Sequence, residues 1–272
     1  MKIKFYLLTV LLPLLFSCSN DDNILNSSSE SDSEYYEFYV AEALDAMNMP
    51  RPEGSYNYPC LPGMPSWEKL QSDKEMEQAC RVPEKVLKEQ STQAVVQALW
   101  EHPQFKSLIG YSSNTSIQQS LDKVLPVWDI YKELVKRTDA ASCLAERYHK
   151  LKLTKESHAF YNNSLQLLLS QTVFLNQLSA DKKTLLTKEM FKRIDTVNHV
   201  LDADADKEPA LVNSSYFCLV RMMANSQYAP MKDWMEKDKK VQEFEQTGDV
   251  LLLNSDLRKA IQELSARFIN NN

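Results

Sequence analysis

Residues 157–180 contain no Asp, Glu, Lys or Arg, and Leu165, Leu167, Leu168, Leu169, Val173, Phe174, Leu175 and Leu178 make the stretch apolar on most sides. Such a segment has to be hidden, either in lipid or inside protein. Asn162, Asn163, Gln166, Gln171, Asn176 and Gln177 argue against lipid, where side-chain amides are costly. The spacing therefore predicts one central, nearly enclosed helix, capped by Thr154 and running to about Gln177. An enclosed helix needs other helices around it, and the rest of the chain supplies their signals.

Ser72 with Glu75 forms a capping box, Pro83 suits a first helical turn, and Ser91 caps a run to Trp100. Ile117, Leu121, Val124, Trp128, Tyr131 and Val135 follow the three- and four-residue spacing of one helix face, with Pro126 set to kink or divide it. Thr138 is expected to cap a helix over 139–151, and Ser179 one carrying Leu186, Met190, Ile194, Val197 and Leu201. Further helices are predicted at about 209–226, 230–246 and 255–269. Only four glycines occur in 272 residues, too few for a turn-rich β fold or a phosphate-cradling loop. No fixed period emerges, so the expected fold is all-α, an irregular bundle or a short, imperfect helical solenoid.

The N-terminus reads as an address. Lys2 and Lys4 precede an apolar run from Phe5 to Phe16, interrupted by Thr9 and Pro13, and then Leu15-Phe16-Ser17-Cys18. The run is short for a membrane span and fits a cleaved export signal over 1–17. The Leu-x-Ser-Cys ending looks like a bacterial lipobox, which makes Cys18 the expected lipidation site and carrier of palmitate. Residues 19–34 are polar and lack aromatics, and read as a disordered tether spanning roughly 20 Å. Asp21 and Asp22 behind the cysteine resemble the surface-export signal of Bacteroidetes lipoproteins, placing the body at the cell surface on the outer membrane. A single domain is expected over 35–272, beginning with a short aromatic-rich helix and a proline-rich connector at 49–65.

The formal charge is −6, and cleavage after residue 17 leaves 29 basic against 37 acidic side chains, a balance of −8. That excludes a nucleic-acid binder working through a basic surface. Cys60, Cys80, Cys143 and Cys218 remain after lipidation, with three full pairings open in an oxidising compartment. No C-x-x-C is present, and Cys80, Cys143 and Cys218 lie among apolar neighbours, as buried thiols do.

Chemical motifs are sparse. Glu146-x-x-His149 has the spacing of half a di-iron site, but no second copy exists. Asp195 and His199 are one turn apart, as surface pairs often are. Asp202, Asp204 and Asp206 resemble three positions of a calcium loop. Lys207 stands where the turn glycine belongs and Asn213 where a bidentate glutamate belongs, so an acidic interhelical loop is the stronger reading. Asp195-Thr196-Val197 looks like the O-glycosylation acceptor of exported Bacteroidetes proteins, marking Thr196. No Gly-x-Ser-x-Gly is present, and no motif calls for a cofactor.

Pro65-Ser66-Trp67, Ala79-Cys80-Arg81-Val82-Pro83-Glu84, Leu87, Ser91-Thr92, Val96 and His102-Pro103 are followed by Glu133-Leu134-Val135-Lys136-Arg137-Thr138-Asp139-Ala140-Ala141, Leu144 and Glu146-Arg147-Tyr148. This pattern, over about 61–151, resembles a helical module of uncharacterised Bacteroidetes lipoproteins. Some of those proteins continue into a second domain with an Asn-Cys-His-Ser-Tyr-type segment. No Cys-His dipeptide occurs here, so the resemblance implies the helical part alone. The expected function is a lipid-anchored, non-catalytic protein that binds a protein or glycan partner. The alternative is a secreted hydrolase whose Cys/His or Asp/His site assembles only in the fold. A deep cleft with converging side chains would favour the enzyme, and a shallow apolar groove the binder.

Overall fold

The computed structural model describes residues 41, 43–105, 108, 110, 116–201 and 210–271. The fold is an all-α helical bundle, and no strand occurs among the described residues. Its helices are α1 (Pro65–Glu68), α2 (Asp73–Ala79), α3 (Glu84–Glu89), α4 (Thr92–Trp100), α5 (Ile117–Val124), α6 (Asp129–Leu134) and α7 (Ala140–Lys150). They continue as α8 (Glu156–Leu169), α9 (Thr172–Leu175), α10 (Ala180–Val200), α11 (Leu211–Asn225), α12 (Ala229–Lys237), α13 (Lys239–Thr247) and α14 (Ser255–Asn271). None of the described helices is long and apolar enough to cross a membrane.

Two of these helices are enclosed, not one. On α8, Ala159 and every residue from Tyr161 to Leu169 are buried, and on α11 every residue from Leu211 to Val220 is. They pack against each other; α7, α9 and α10 also flank α8, while α9, α10, α12, α13 and α14 flank α11. The buried side chains from Ala43 to Phe268 form one cluster.

The uncharged stretch is not one continuous helix. It stops at Leu169, bends at Ser170–Gln171 and restarts as α9. The carbonyl of Leu167 accepts from the Gln171 side-chain amide at 2.9 Å and from the Ser170 hydroxyl at 2.7 Å. Those side chains take the place of the next backbone N–H, so the ladder ends there. The start also moves: Lys155 is the N-cap, and the Thr154 backbone N–H donates to His158 Nδ1 at 3.4 Å.

Ser72, Ser91 and Ser179 cap α2, α4 and α10 by accepting from Glu75, Ala94 and Lys182 backbone N–H groups at 3.2–3.3 Å. In the capping box, Glu75 reaches back to the N–H of Gln71, one residue before the cap. Pro126 does divide its helix. A 3₁₀ turn over Leu125–Val127 separates α5 from α6, with Trp128 extended between them. Thr138 is not the cap of α7. The N-cap is Asp139, whose carboxylate accepts from Thr92, and Ala141 N–H donates to the distant Gln177 side chain at 3.0 Å. The helix expected over 230–246 breaks at Asp238, whose side chain accepts from Lys240 N–H and starts α13. The proline-rich connector is tied down by Arg51, which pairs with both Glu101 carboxylate oxygens at 2.8 and 2.9 Å, and by Tyr58, which donates to the Ala98 carbonyl at 3.0 Å.

Candidate functional site

A groove of about 330 Å³ opens between α7 and α10, lined by Ser142, Cys143, Ala145, Glu146, His149, Lys182, Leu185, Leu186 and Glu189. Its walls are mostly apolar. Leu185 is 52 % exposed there, one of only three large hydrophobic side chains to stand so open among the described residues. Glu146, His149, Lys182 and Glu189 supply its polar and charged groups. Lys182 donates to the Ser142 hydroxyl at 2.8 Å, and His149 pairs through Nδ1 with Glu189.

Cys143 forms part of the floor and is only 8 % exposed. Burial pushes its thiol up to about 11, with the charges of Asp139 and Glu146 adding to the shift. It is therefore a thiol at neutral pH and a poor nucleophile. His149, six residues further along α7, lies on another turn roughly 9 Å up the axis and is engaged by Glu189. The two ends of the Glu146-x-x-His149 motif go to different partners: Glu146 accepts from Gln93 of α4 at 2.8 Å, while His149 turns to Glu189 of α10. Among the described residues no group of three or more His, Cys, Asp or Glu could hold a metal ion.

The other histidines and cysteines are spread through the body. His102 is buried, stacked on Trp128 at 4.2 Å and edge-on to Tyr58 at 5.6 Å. Its Nδ1 accepts from Gln104 N–H at 3.1 Å, and burial pushes its pKa down to about 3. His158 is buried with Nε2 3.6 Å from Asp45, a carboxylate also paired with Lys155 at 2.5 Å. Cys218 donates its thiol hydrogen to the Gln166 carbonyl at 2.8 Å, with its pKa pushed up to about 12 by burial. Asp195 and His199 are exposed on α10.

Thr196 lies in the middle of α10, half-buried, with its hydroxyl 3.4 Å from the Lys192 carbonyl, and the following Val197 is buried. Cys18, Asp202, Asp204 and Asp206 lie outside the described residues. Asn213 is nearly buried on α11 and accepts from Arg258 at 3.1 Å.

Sequence reasoning missed the groove because it is made by two helices forty residues apart whose facing residues carry no motif. The one available signal was Leu185, an apolar residue beside the Leu186–Met190–Ile194 stripe. It also missed the core polar network. There Gln166 donates to the Tyr148 hydroxyl at 2.9 Å and accepts from Ser214 and Ser215 at 3.1 and 2.9 Å, while Asn163 donates to Ser214 at 2.8 Å. No family model, curated protein or solved structure matches this chain.

Proposed function

We propose that the chain is a lipid-anchored, non-catalytic binding protein of the cell surface, held to the outer membrane through Cys18, whose α7–α10 groove receives a protein partner. The observation that carries the binding role is the groove itself. It is open to solvent and lined by Ala145, Leu185 and Leu186, its thiol is held protonated, and its histidine is engaged by Glu189. An exposed apolar surface with a charged rim matches the way a protein segment is held, with apolar contact at the centre and polar groups around it. Among the described residues no Trp, Tyr or Phe lines the groove to stack on a sugar ring, which favours a protein over a glycan.

The anchoring part of the proposal rests on the lipobox-like ending at Cys18, the acidic residues Asp21 and Asp22, and the resemblance of 61–151 to a lipoprotein module. Cells fed an alkyne palmitate analogue test it. The native chain should take up the label, fractionate with the outer membrane and be trimmed by protease added to intact cells. Cys18→Ser should lose label and membrane fractionation together; label retained on that variant would refute the anchor. For binding, the native chain should copurify with one stoichiometric protein, and turnover of ester or peptide substrates by the purified chain would argue for the hydrolase instead.

A further inference from the structure

The residues that line the α7–α10 groove repeat one spacing on both helices. On α7 they include Ser142, Ala145, Glu146 and His149. On α10 they are Lys182, Leu185, Leu186 and Glu189. Each set follows the i, i+3, i+4, i+7 spacing of a single helix face. Two contacts fix how the faces meet: Lys182 donates to the Ser142 hydroxyl at one end, and His149 pairs with Glu189 at the other. The two helices therefore run parallel and in register over two turns, roughly 10 Å. Paired helix faces of that spacing form a row of holes that the side chains of a third helix can enter.

Helical walls also select against other occupants. The backbone N–H and C=O groups of α7 and α10 are paired within each helix, so an extended segment laid between them would find no backbone partner. An incoming helix carries its own backbone hydrogen bonds and presents only side chains. A second copy docked by two-fold symmetry would set groove against groove and leave the space of about 330 Å³ unfilled.

Charge along the groove is uneven. Lys182 stands at one end, and Glu189 at the other, with Glu146 one turn before His149 on the facing helix. Glu189 Oε2 is shielded from solvent and has no hydrogen-bond partner. A desolvated carboxylate oxygen without a donor is costly, and a cation brought alongside offsets that cost. Residues 19–40 of the chain contain no Lys, Arg or His, so that segment does not supply the cation.

Resting on the groove reading given above, we propose that the partner inserts an amphipathic helix as the third helix of this unit. Two apolar residues three or four positions apart enter beside Ala145, Leu185 and Leu186, and a Lys or Arg about one turn away meets Glu189 and Glu146.

The test places p-benzoylphenylalanine at Lys182 or, in a second variant, at Ser142 of the full chain. Producing cells are irradiated and the crosslinked peptide is mapped by mass spectrometry. The expected result is one segment of one protein that carries the apolar pair and the basic residue. As a synthetic peptide it should gain helical circular dichroism on binding the purified chain. Glu189→Lys should weaken that peptide at least about tenfold, and changing the peptide's basic residue to Glu should restore binding to Glu189→Lys. Glu189→Gln should weaken it less, and decides the matter if Glu189→Lys does not fold. A mapped segment that binds without becoming helical, or that binds both Glu189 variants as tightly as the native chain, would overturn the amphipathic helix and leave the groove reading standing. A crosslink to a second copy of this chain would overturn the proposed helix as well. Absence of any crosslink from both positions would overturn the helix and the groove reading together.

Discussion

Gln166 donates its side-chain amide to the Tyr148 hydroxyl at 2.9 Å in a wholly buried position, which locks α8 to α7. The same side chain accepts from Ser214 and Ser215, which locks α8 to α11. This polar contact ties the two enclosed helices together at one point along their length.

Gln166→Leu would keep the volume and remove the hub, leaving buried hydroxyls on Tyr148, Ser214 and Ser215 without it. Each buried polar group left unsatisfied costs about 1–3 kcal/mol. Chemical denaturation should show a loss of about 2–4 kcal/mol. A loss below about 0.5 kcal/mol would mean the network contributes nothing to stability.

Gly248 ends α13 at φ +62°, and a Cβ there would lie 2.9 Å from Ile117 Cβ and 3.0 Å from a ring carbon of Phe217. Gly248→Ala therefore adds left-handed strain to overpacking, and should cost about 2–4 kcal/mol. Gly54 has a similar φ of +73° but open space around it. Gly54→Ala should cost only about 1 kcal/mol, and comparing the two denaturation midpoints checks the difference.

His102 makes stability fall with acid. Its folded pKa is held near 3 against an unfolded value of about 6.5, so between those limits the unfolded chain binds the extra proton. The stabilising contribution is complete above about pH 6.5 and is lost as pH falls towards 3, with a slope of at most about 1.4 kcal/mol per pH unit. His102→Phe keeps an aromatic ring against Trp128 and should flatten the pH 4–6 limb of the stability curve. An unchanged slope would place the acid sensitivity elsewhere.

Helix identity was legible in the sequence wherever a serine cap met a regular stripe, as at Ser72, Ser91 and Ser179, and the dividing role of Pro126 was legible too. What could not be read were ends set by distant groups. Ala141 N–H finds the side chain of Gln177, and the Leu167 carbonyl finds those of Ser170 and Gln171, so both boundaries depend on which amide folds back. The amides of 157–180 pointed to a protein interior and away from lipid, and on α8 they are indeed partnered inside protein. The groove was illegible because Leu185 gains its significance only from the α7 residues opposite.

The groove's role is tested most directly by crosslinking intact cells that produce the native chain, Leu185→Asp or Leu251→Asp, followed by quantification of the copurified protein. Both leucines are exposed, 52 % and 76 %, so neither change should alter stability by more than about 0.5 kcal/mol. The expected result is one stoichiometric partner on the native chain and on Leu251→Asp, reduced at least about tenfold on Leu185→Asp, as for loss of a central apolar contact. Retention of the same partner at the same stoichiometry on Leu185→Asp would contradict binding through the α7–α10 groove.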